Sequence, residues 1–454
     1  MSACSPVCYS WVTHATGRVF PQVVRRAGPL APGGGILGEV SIVPVPLRRA
    51  VTARDPHEDG RVSTPLELLF DLVFVVAVAS NAAQLHHGLS AGHYGTVLGY
   101  VLTWFAIWWA WMNYTWFASA YDNDDVGFRL LTFVIMSGAL VLAAGVPQLF
   151  DSGNSGVVVA GYAVMRFGMV AMWLRAAAGH PEGRLTALTY AGGIAAVQVL
   201  WIARLWAPEG WLVATFVLLV GAELAVPLLA EGRSGYTPFH PHHIAERYGL
   251  MTIIVLGEVI LAAVAAVQGV IAAGAGSEGG GGHTAPFETS ATAGVTWGMV
   301  PLIVGGLLVV FSLWWGYFAR ENAELVERER MVWVFGYGHY LVFASIAAVG
   351  SALAAAVDVV AGSSEASPRG IALALAVSVV VAMLALSALH ALADGGGLAS
   401  LAPGLLVAGG CVLVALLAPS IAWAVLGVGI VAAGVVVHKV VVGSAAAGPV
   451  EVAA

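Results

Sequence analysis

Apolar residues recur in runs of about 20 from Thr64 to Val442, and polar or Gly/Pro-rich breaks separate them. Each run is long enough to cross a bilayer as a helix. The pattern predicts about twelve spans, at roughly 64–86, 93–118, 127–150, 156–176, 185–206, 210–230, 244–272, 294–318, 331–357, 369–393, 400–418 and 420–442. Pro419 falls between the last two and divides them. The expected fold is therefore an all-α, polytopic membrane protein whose outer surface meets the lipid bilayer.

Three segments depart from the pattern. Residues 1–62 hold a Gly33–Gly35 run, several prolines and seven arginines, with no apolar core long enough for a signal peptide. They read as a disordered N-terminal tail. Residues 273–293 are rich in Gly, Ser and Thr and read as a flexible loop. Residues 444–454 form a short second tail. The membrane blocks between are 63–272, which already contains span 7, and 294–443.

Composition agrees with the pattern. The chain has 454 residues, is 59% hydrophobic and only 10% charged, where a soluble domain carries about 25%. The net charge of -7 therefore says little about partners, and no basic patch points to nucleic acid. Cys4, Cys8 and Cys411 supply neither a disulfide framework nor a paired zinc motif. Arginine almost replaces lysine beside abundant Ala, Gly and Val, the usage of a GC-rich bacterial genome. The expected location is thus a bacterial inner membrane.

The basic residues orient the chain. With the N-terminal tail inside, its seven arginines fall there together with Arg129, Arg175, Arg184, Arg233, Arg247, Arg320, Arg328, Arg330 and Lys439. Only Arg204 and Arg369 fall outside, and Arg166 lies within a span. That asymmetry obeys the positive-inside rule and places both termini in the cytoplasm.

The halves also look related. Span 2 ends in Trp111-Met-Asn-Tyr114 and span 8 in Trp314-Trp-Gly-Tyr317, each before a charged loop. Spans 1 and 7 both begin with a glutamate, Glu67 or Glu246, and carry a deeper acid. The two offsets differ by about the length of the Gly-rich loop. Six spans per half would make two repeats of the same orientation.

The first candidate for chemistry is a polar stripe on span 1. Glu67, Asp71, Phe74, Val78 and Asn81 step by four and three and continue to Gln84. A carboxylate in hydrocarbon costs roughly 2.5 kcal/mol or more. Either these residues line a hydrated proton or cation path, or Glu67 lies near the surface and Asp71 pairs with an arginine to fix helix packing.

Span 7 supplies the second candidate. His240, His242, His243, Glu246 and Arg247 enter it at the cytoplasmic face, and Pro241 suits the helix start. Glu258 lies about 14 residues further in, roughly 21 Å along a helix. Arg247, Met251, Ile254 and Glu258 share one stripe.

The histidine spacing resembles that of zinc ligands, but Pro241 interrupts the first turn and the H-E-x-x-H pattern is absent. The cluster reads as interfacial, with no metal or cofactor implied. The lone Arg166 in span 4 should face the bundle interior and pair, with Asp71 and Glu258 as expected partners. Trp104, Trp108, Trp109, Trp111 and Trp116 read as packing and interfacial anchors. No P-loop or nucleophile elbow appears, so the chain does not read as an enzyme.

Four stretches carry a family resemblance. They are the span running from Thr64-Pro-Leu-Glu67 through Phe70-Asp71, the aromatic span ending Trp108-Trp-Ala-Trp111, the Asp122–Asp125 loop, and His240-Pro-His-His-Ile-Ala-Glu-Arg-Tyr-Gly249 with Leu256-Gly-Glu258. Together they resemble the bacterial low temperature requirement A family across residues 61 to about 440. The resemblance implies an integral membrane protein linked by name to growth in the cold, and it implies no defined substrate. The Glu-x-x-x-Asp opening of span 1 is also similar to the first helices of lysosomal-type potassium channels, which use paired six-helix repeats. Their arginine-serine-aspartate pattern is absent here.

The expected function is a transporter or permease for an ion or small solute, with proton coupling through Asp71 and Glu258 and with Arg166 as counter-charge. An ion channel lined by Asn81 and Asp71 is the alternative. A membrane-adaptation protein or intramembrane enzyme acting on lipids, served by the His240–Glu246 cluster, is the third.

Overall fold

A computed structural model describes residues 45–235, 237–276, 299–320, 322–393 and 402–447. It contains thirteen α-helices among them. The first six are α1 (Pro65–Ser90), α2 (Thr96–Tyr121), α3 (Val126–Ser152), α4 (Gly156–Gly179), α5 (Arg184–Ala203) and α6 (Leu212–Ser234). The rest are α7 (Pro241–Gly276), α8 (Val300–Phe318), α9 (Ala323–Val326), α10 (Glu329–Ala361), α11 (Pro368–Ala393), α12 (Ala402–Leu417) and α13 (Ile421–Ala447).

Ten of these are long and apolar enough to cross a membrane. The other two expected spans fall short for different reasons. α12 has only 16 residues. α2 has 26 residues but spends many of them on Trp, Tyr and Thr, which lower its hydropathy. It is also the most enclosed part of the first half, with Trp104, Trp109, Trp111, Tyr114 and Phe117 all buried. A helix surrounded by protein has no need of a lipid-compatible surface. By contrast, Phe167, Leu218 and Leu406 are each about two-thirds or more exposed, as expected of side chains that face lipid. The protein is thus a multi-pass membrane protein, and α12 and α13 are separated at Pro419.

Several helix contacts recur between the two halves. In the first half α1 packs on α3, α3 on α4, α4 on α5, α5 on α6, and α2 on α4. In the second half α7 packs on α10, α10 on α11, α11 on α12, α12 on α13, and α8 on α11. Taking α7, α8, α10, α11, α12 and α13 as counterparts of α1–α6, these five pairs recur in both halves, whereas the close α8–α13 packing of the second half has no equivalent between α2 and α6.

Two interfaces are closed by small residues, as membrane helix contacts often are. A Cβ on Gly161 of α4 would lie 2.4 Å from Leu142 N of α3. A Cβ on Gly305 of α8 would lie 2.4 Å from Leu426 N of α13. Neither site has room for a larger side chain.

The start of α1 meets the start of α7 and the end of α2, through Ser63–Glu246 and Trp111–Asp71 contacts. We call this the proximal end. The end of α1 meets the end of α10 at the distal end, through His86 and Asp358.

Residues 45–62, expected as part of a tail, instead lie against the proximal end. Val51 is buried, and Gly179 is so close that a Cβ there would meet Val51 O at 2.5 Å. The Arg54 backbone N–H donates to Ala120 O (2.9 Å) and the Arg54 guanidinium to Asp122 O (3.2 Å). Carbonyls at the end of α2 need such donors, and a cation suits a helix C-terminus. Residues 1–44, with Cys4 and Cys8, and most of the Gly-rich loop lie outside the described residues.

Candidate polar sites along the bundle

Buried charge gathers at three depths. The proximal centre begins with the N-terminus of α1. Thr64 is the N-cap, and Glu67 closes a capping box by accepting from Thr64 N (2.8 Å) and Thr64 Oγ1 (3.0 Å). One turn on, Asp71 accepts from Trp111 Nε1 (2.8 Å).

Arg247 of α7 then joins both acids. Its Nη2 donates to Asp71 Oδ1 (2.5 Å) and its Nε to Asp71 Oδ2 (3.1 Å), while Nη1 lies 3.1 Å from Glu67 Oε1. The bidentate fork is the geometry that makes arginine–carboxylate pairs strong. His243 Nε2 is 3.2 Å from Glu67 Oε1. Arg61 Nη2 sits 3.7 Å from Glu67 and 3.8 Å from Asp122. Glu67, Asp71, His243 and Arg247 are all fully buried.

The Asp122–Asp125 loop seals this end. Burial pushes the Asp122 carboxyl up to about 6; the Glu67 charge adds to the effect and the Asp124 N–H opposes it. Asp125 is the N-cap of α3. Desolvation pulls its carboxyl upward, but the Arg49 and Phe128 N–H donors and the Arg175 guanidinium outweigh that and hold it below the usual carboxylate range.

A second centre lies at mid-depth among α2, α4, α5 and α6. Arg166 Nη2 is 3.3 Å from Glu223 Oε2 and donates to the Tyr162 hydroxyl. Tyr162 donates to Glu223 Oε1 (2.8 Å), Trp109 to Oε2 (2.9 Å) and Trp201 to Oε1 (3.2 Å). Arg166 was expected to pair with Asp71 or Glu258, and it pairs with neither. Asp71 is satisfied by Arg247, and Glu223 stands on a helix that packs beside α4 through α5.

The distal centre is different in kind. His86 Nε2 is 2.7 Å from Asp358 Oδ2, and Ser90 Oγ donates to the same oxygen (2.5 Å). His86 and Asp358 line a cleft of about 550 Å³ between α1, α7 and α10. Glu258 lines it too, half-buried, with no hydrogen bond or ion pair among the described residues.

The expected sites are therefore regrouped. Glu67, Asp71 and Arg247 come together, although Arg247 was expected at the lipid interface. Glu258 shares a cleft with His86 and Asp358 and does not join Asp71. Asn81 is buried and donates to Tyr100 O (3.1 Å), and it does not line the cleft that holds Glu258.

The interfacial histidine cluster splits in three directions. His240 lies 3.0 Å from Glu58 O, His243 turns to Glu67, and exposed His242 faces Glu327 at 3.5 Å. Glu246 accepts from Ser63 N (3.1 Å). Among the described residues no group of three or more His, Cys, Asp or Glu is placed to hold a metal.

Trp104, Trp108, Trp109 and Trp111 are buried packing residues, and two of them donate to acids. Glu223, Tyr162, Asp358 and Arg61 were missed as parts of these centres. Glu223 had a readable signal: it is a lone acid deep in span 6, at about the depth of the lone Arg166 in span 4.

Comparison with known proteins agrees with this architecture. An uncharacterized protein of Rhizobium meliloti (strain 1021) is 28% identical over 302 residues, covering 63% of this chain and 67% of the relative. No solved structure matches. Residues 62–440, from just before the α1 cap into α13, match the bacterial low temperature requirement A protein (LtrA) family. The chain belongs to that family.

Proposed function

We propose that this protein moves a proton or small cation across the membrane along the seam of α1, α7 and α10. The observation that carries the reading is Glu258. A carboxyl at that depth is expensive in hydrocarbon, and here it has no hydrogen bond or ion pair among the described residues and opens onto a cleft of about 550 Å³. A group in that setting can take up and release a cation, whereas one locked to a guanidinium cannot. The His86–Asp358 pair at the distal mouth adds a second acceptor.

Toward the proximal end the seam is closed. Phe70 stacks on Tyr114 at 3.8 Å, and Tyr248 packs against Trp111, Phe335 and His339. Behind these rings lies the Arg247 clamp. The arrangement has the form of a distally open, proximally closed transporter, in which rocking of one half against the other would expose the proximal side. The arginine distribution supports a cytoplasmic proximal end, and the many apolar helices are consistent with a bacterial inner membrane.

The test is proton, sodium and potassium flux in proteoliposomes, with Glu258→Gln beside the wild type. Flux that disappears in a folded Glu258→Gln protein is expected. Absence of flux for all three ions, or equal flux in both proteins, would overturn the reading.

A further inference from the structure

We propose that a cage of aromatic rings at the proximal end, away from the α1–α7 seam, binds a small organic ammonium ion with Glu231 as its counter-charge. The cage is built between the two halves. Trp116 comes from α2, Trp173 from α4, Tyr190 from α5, Phe239 from the segment before α7, and Trp333 and Tyr337 from α10. Together with Glu231 of α6 they enclose about 50 Å³ of space for the centres of water-sized molecules. At 10–15 Å³ for each water, that is roughly the room a methylated ammonium group needs.

The rings hold one another in place. Trp173 stacks on Tyr190 with centroids 4.1 Å apart, and Trp116 meets Phe239 edge-on at 4.8 Å. Trp333 leans on Tyr337 at 5.5 Å. Preorganised ring faces attract a cation through their quadrupoles, and more strongly when water is excluded.

Charge selects the ligand. Glu231 Oε1 accepts from Tyr190 (2.8 Å) and Thr237 (2.7 Å), which fixes the carboxyl in orientation. The Thr237 backbone N–H also donates to this carboxyl. The Tyr337 hydroxyl is buried without a partner. Among the described residues no Arg, Lys or His lines the cavity. A carboxylate in an aromatic box with no counter-cation among the described residues favours a positive guest. Hard metal cations need several oxygen ligands, and this wall offers ring faces instead, so a weakly hydrated alkylammonium fits best.

The test uses the purified full-length protein in detergent and follows tryptophan fluorescence and heat on titration with tetramethylammonium or choline. The control ligand is the alcohol in which carbon replaces the quaternary nitrogen of choline. Saturable binding is expected, at least about tenfold weaker for the uncharged alcohol and in Glu231→Gln. In that variant the amide oxygen still accepts from Tyr190 and Thr237. If Glu231→Gln does not fold, Trp333→Leu serves in its place and should weaken binding about threefold or more. The proposal falls if neither ammonium binds saturably, if the alcohol binds equally, or if a folded variant binds as the wild type does. Each result is independent of whether the α1–α7–α10 seam carries ions.

Discussion

The proximal and distal ends of α1 carry acids of opposite standing. At the proximal end Glu67 and Asp71 are fully buried, capped and clamped by Arg247. At the distal end Asp358 is partly exposed to a cleft, and Glu258 beside it has no partner among the described residues. Both pairs are carboxylates on apolar helices, and their sequence neighbourhoods look alike. The difference teaches that an intramembrane acid is a lead only once its partners are known. A clamped acid sets helix packing, and an open one is free to exchange its ion.

The strongest way to break the comparison is to unclamp the proximal acids. Arg247→Met leaves Glu67 and Asp71 buried without their shared cation, and loss of one partner from a buried pair costs roughly 3–5 kcal/mol. Thermal melting in detergent should show a large fall or no folded protein. Arg166→Met should behave similarly at mid-depth, stranding Glu223, although Trp109, Trp201 and Tyr162 still donate to it. A near-wild-type melting temperature for Arg247→Met would show that the proximal clamp is not structural, and the contrast between the two ends would collapse.

A middle-sized effect comes from the loop that seals the proximal end. The Asp122 carboxyl is pushed up to about 6, so the folded state holds its proton more tightly than the unfolded chain does. Its contribution is complete below the ordinary aspartate value and is lost as pH rises through about 6. Asp125 has the opposite sign. Its carboxyl is held low, so its contribution is present above the ordinary value and is lost as pH falls below it. Asp122→Asn should therefore flatten the decline in stability between about pH 4 and 6 and gain on the order of 2 kcal/mol at neutral pH. Asp125→Ala should lose about 1–2 kcal/mol at neutral pH through the missing cap. Melting curves across this range, with all three proteins, decide both.

Much of the fold was legible because the bilayer imposes a strict length and polarity rule. Twelve apolar runs became twelve helices, ten of them long and apolar enough to cross a membrane, and the Gly-rich interruption lies between α7 and α8. α2 shows where a hydropathy rule alone stops: its tryptophans and tyrosines make it look only weakly apolar, yet it is the core of the first half. The acids and arginines were also visible, but their pairing was not. Arg166 and Arg247 are each one helical element away from several carboxylates, and sequence distance does not say which helices touch. Arg247 was misplaced at the interface because it lies only six residues after Pro241, although residues 45–62 and the Asp122 loop cover that end and take it out of water. Thr64 and Glu67 form a capping box that spacing alone could have revealed.

The smallest expected effect on stability is also the sharpest test of the contrast. Glu258 makes no hydrogen bond or ion pair among the described residues, and only part of it is removed from water. Replacing it with glutamine deletes a charge that no described residue compensates, so the stability should change little, within about 0.5 kcal/mol of the wild type. Glu258→Leu should be neutral or slightly stabilising, because a group that is costly in hydrocarbon is exchanged for one that is welcome there. If either variant instead loses as much stability as Arg247→Met, Glu258 has a hidden partner and belongs with the clamped acids. If both are stable, the charge at Glu258 contributes nothing to folding, and a loss of ion movement in Glu258→Gln can be assigned to the carboxyl itself.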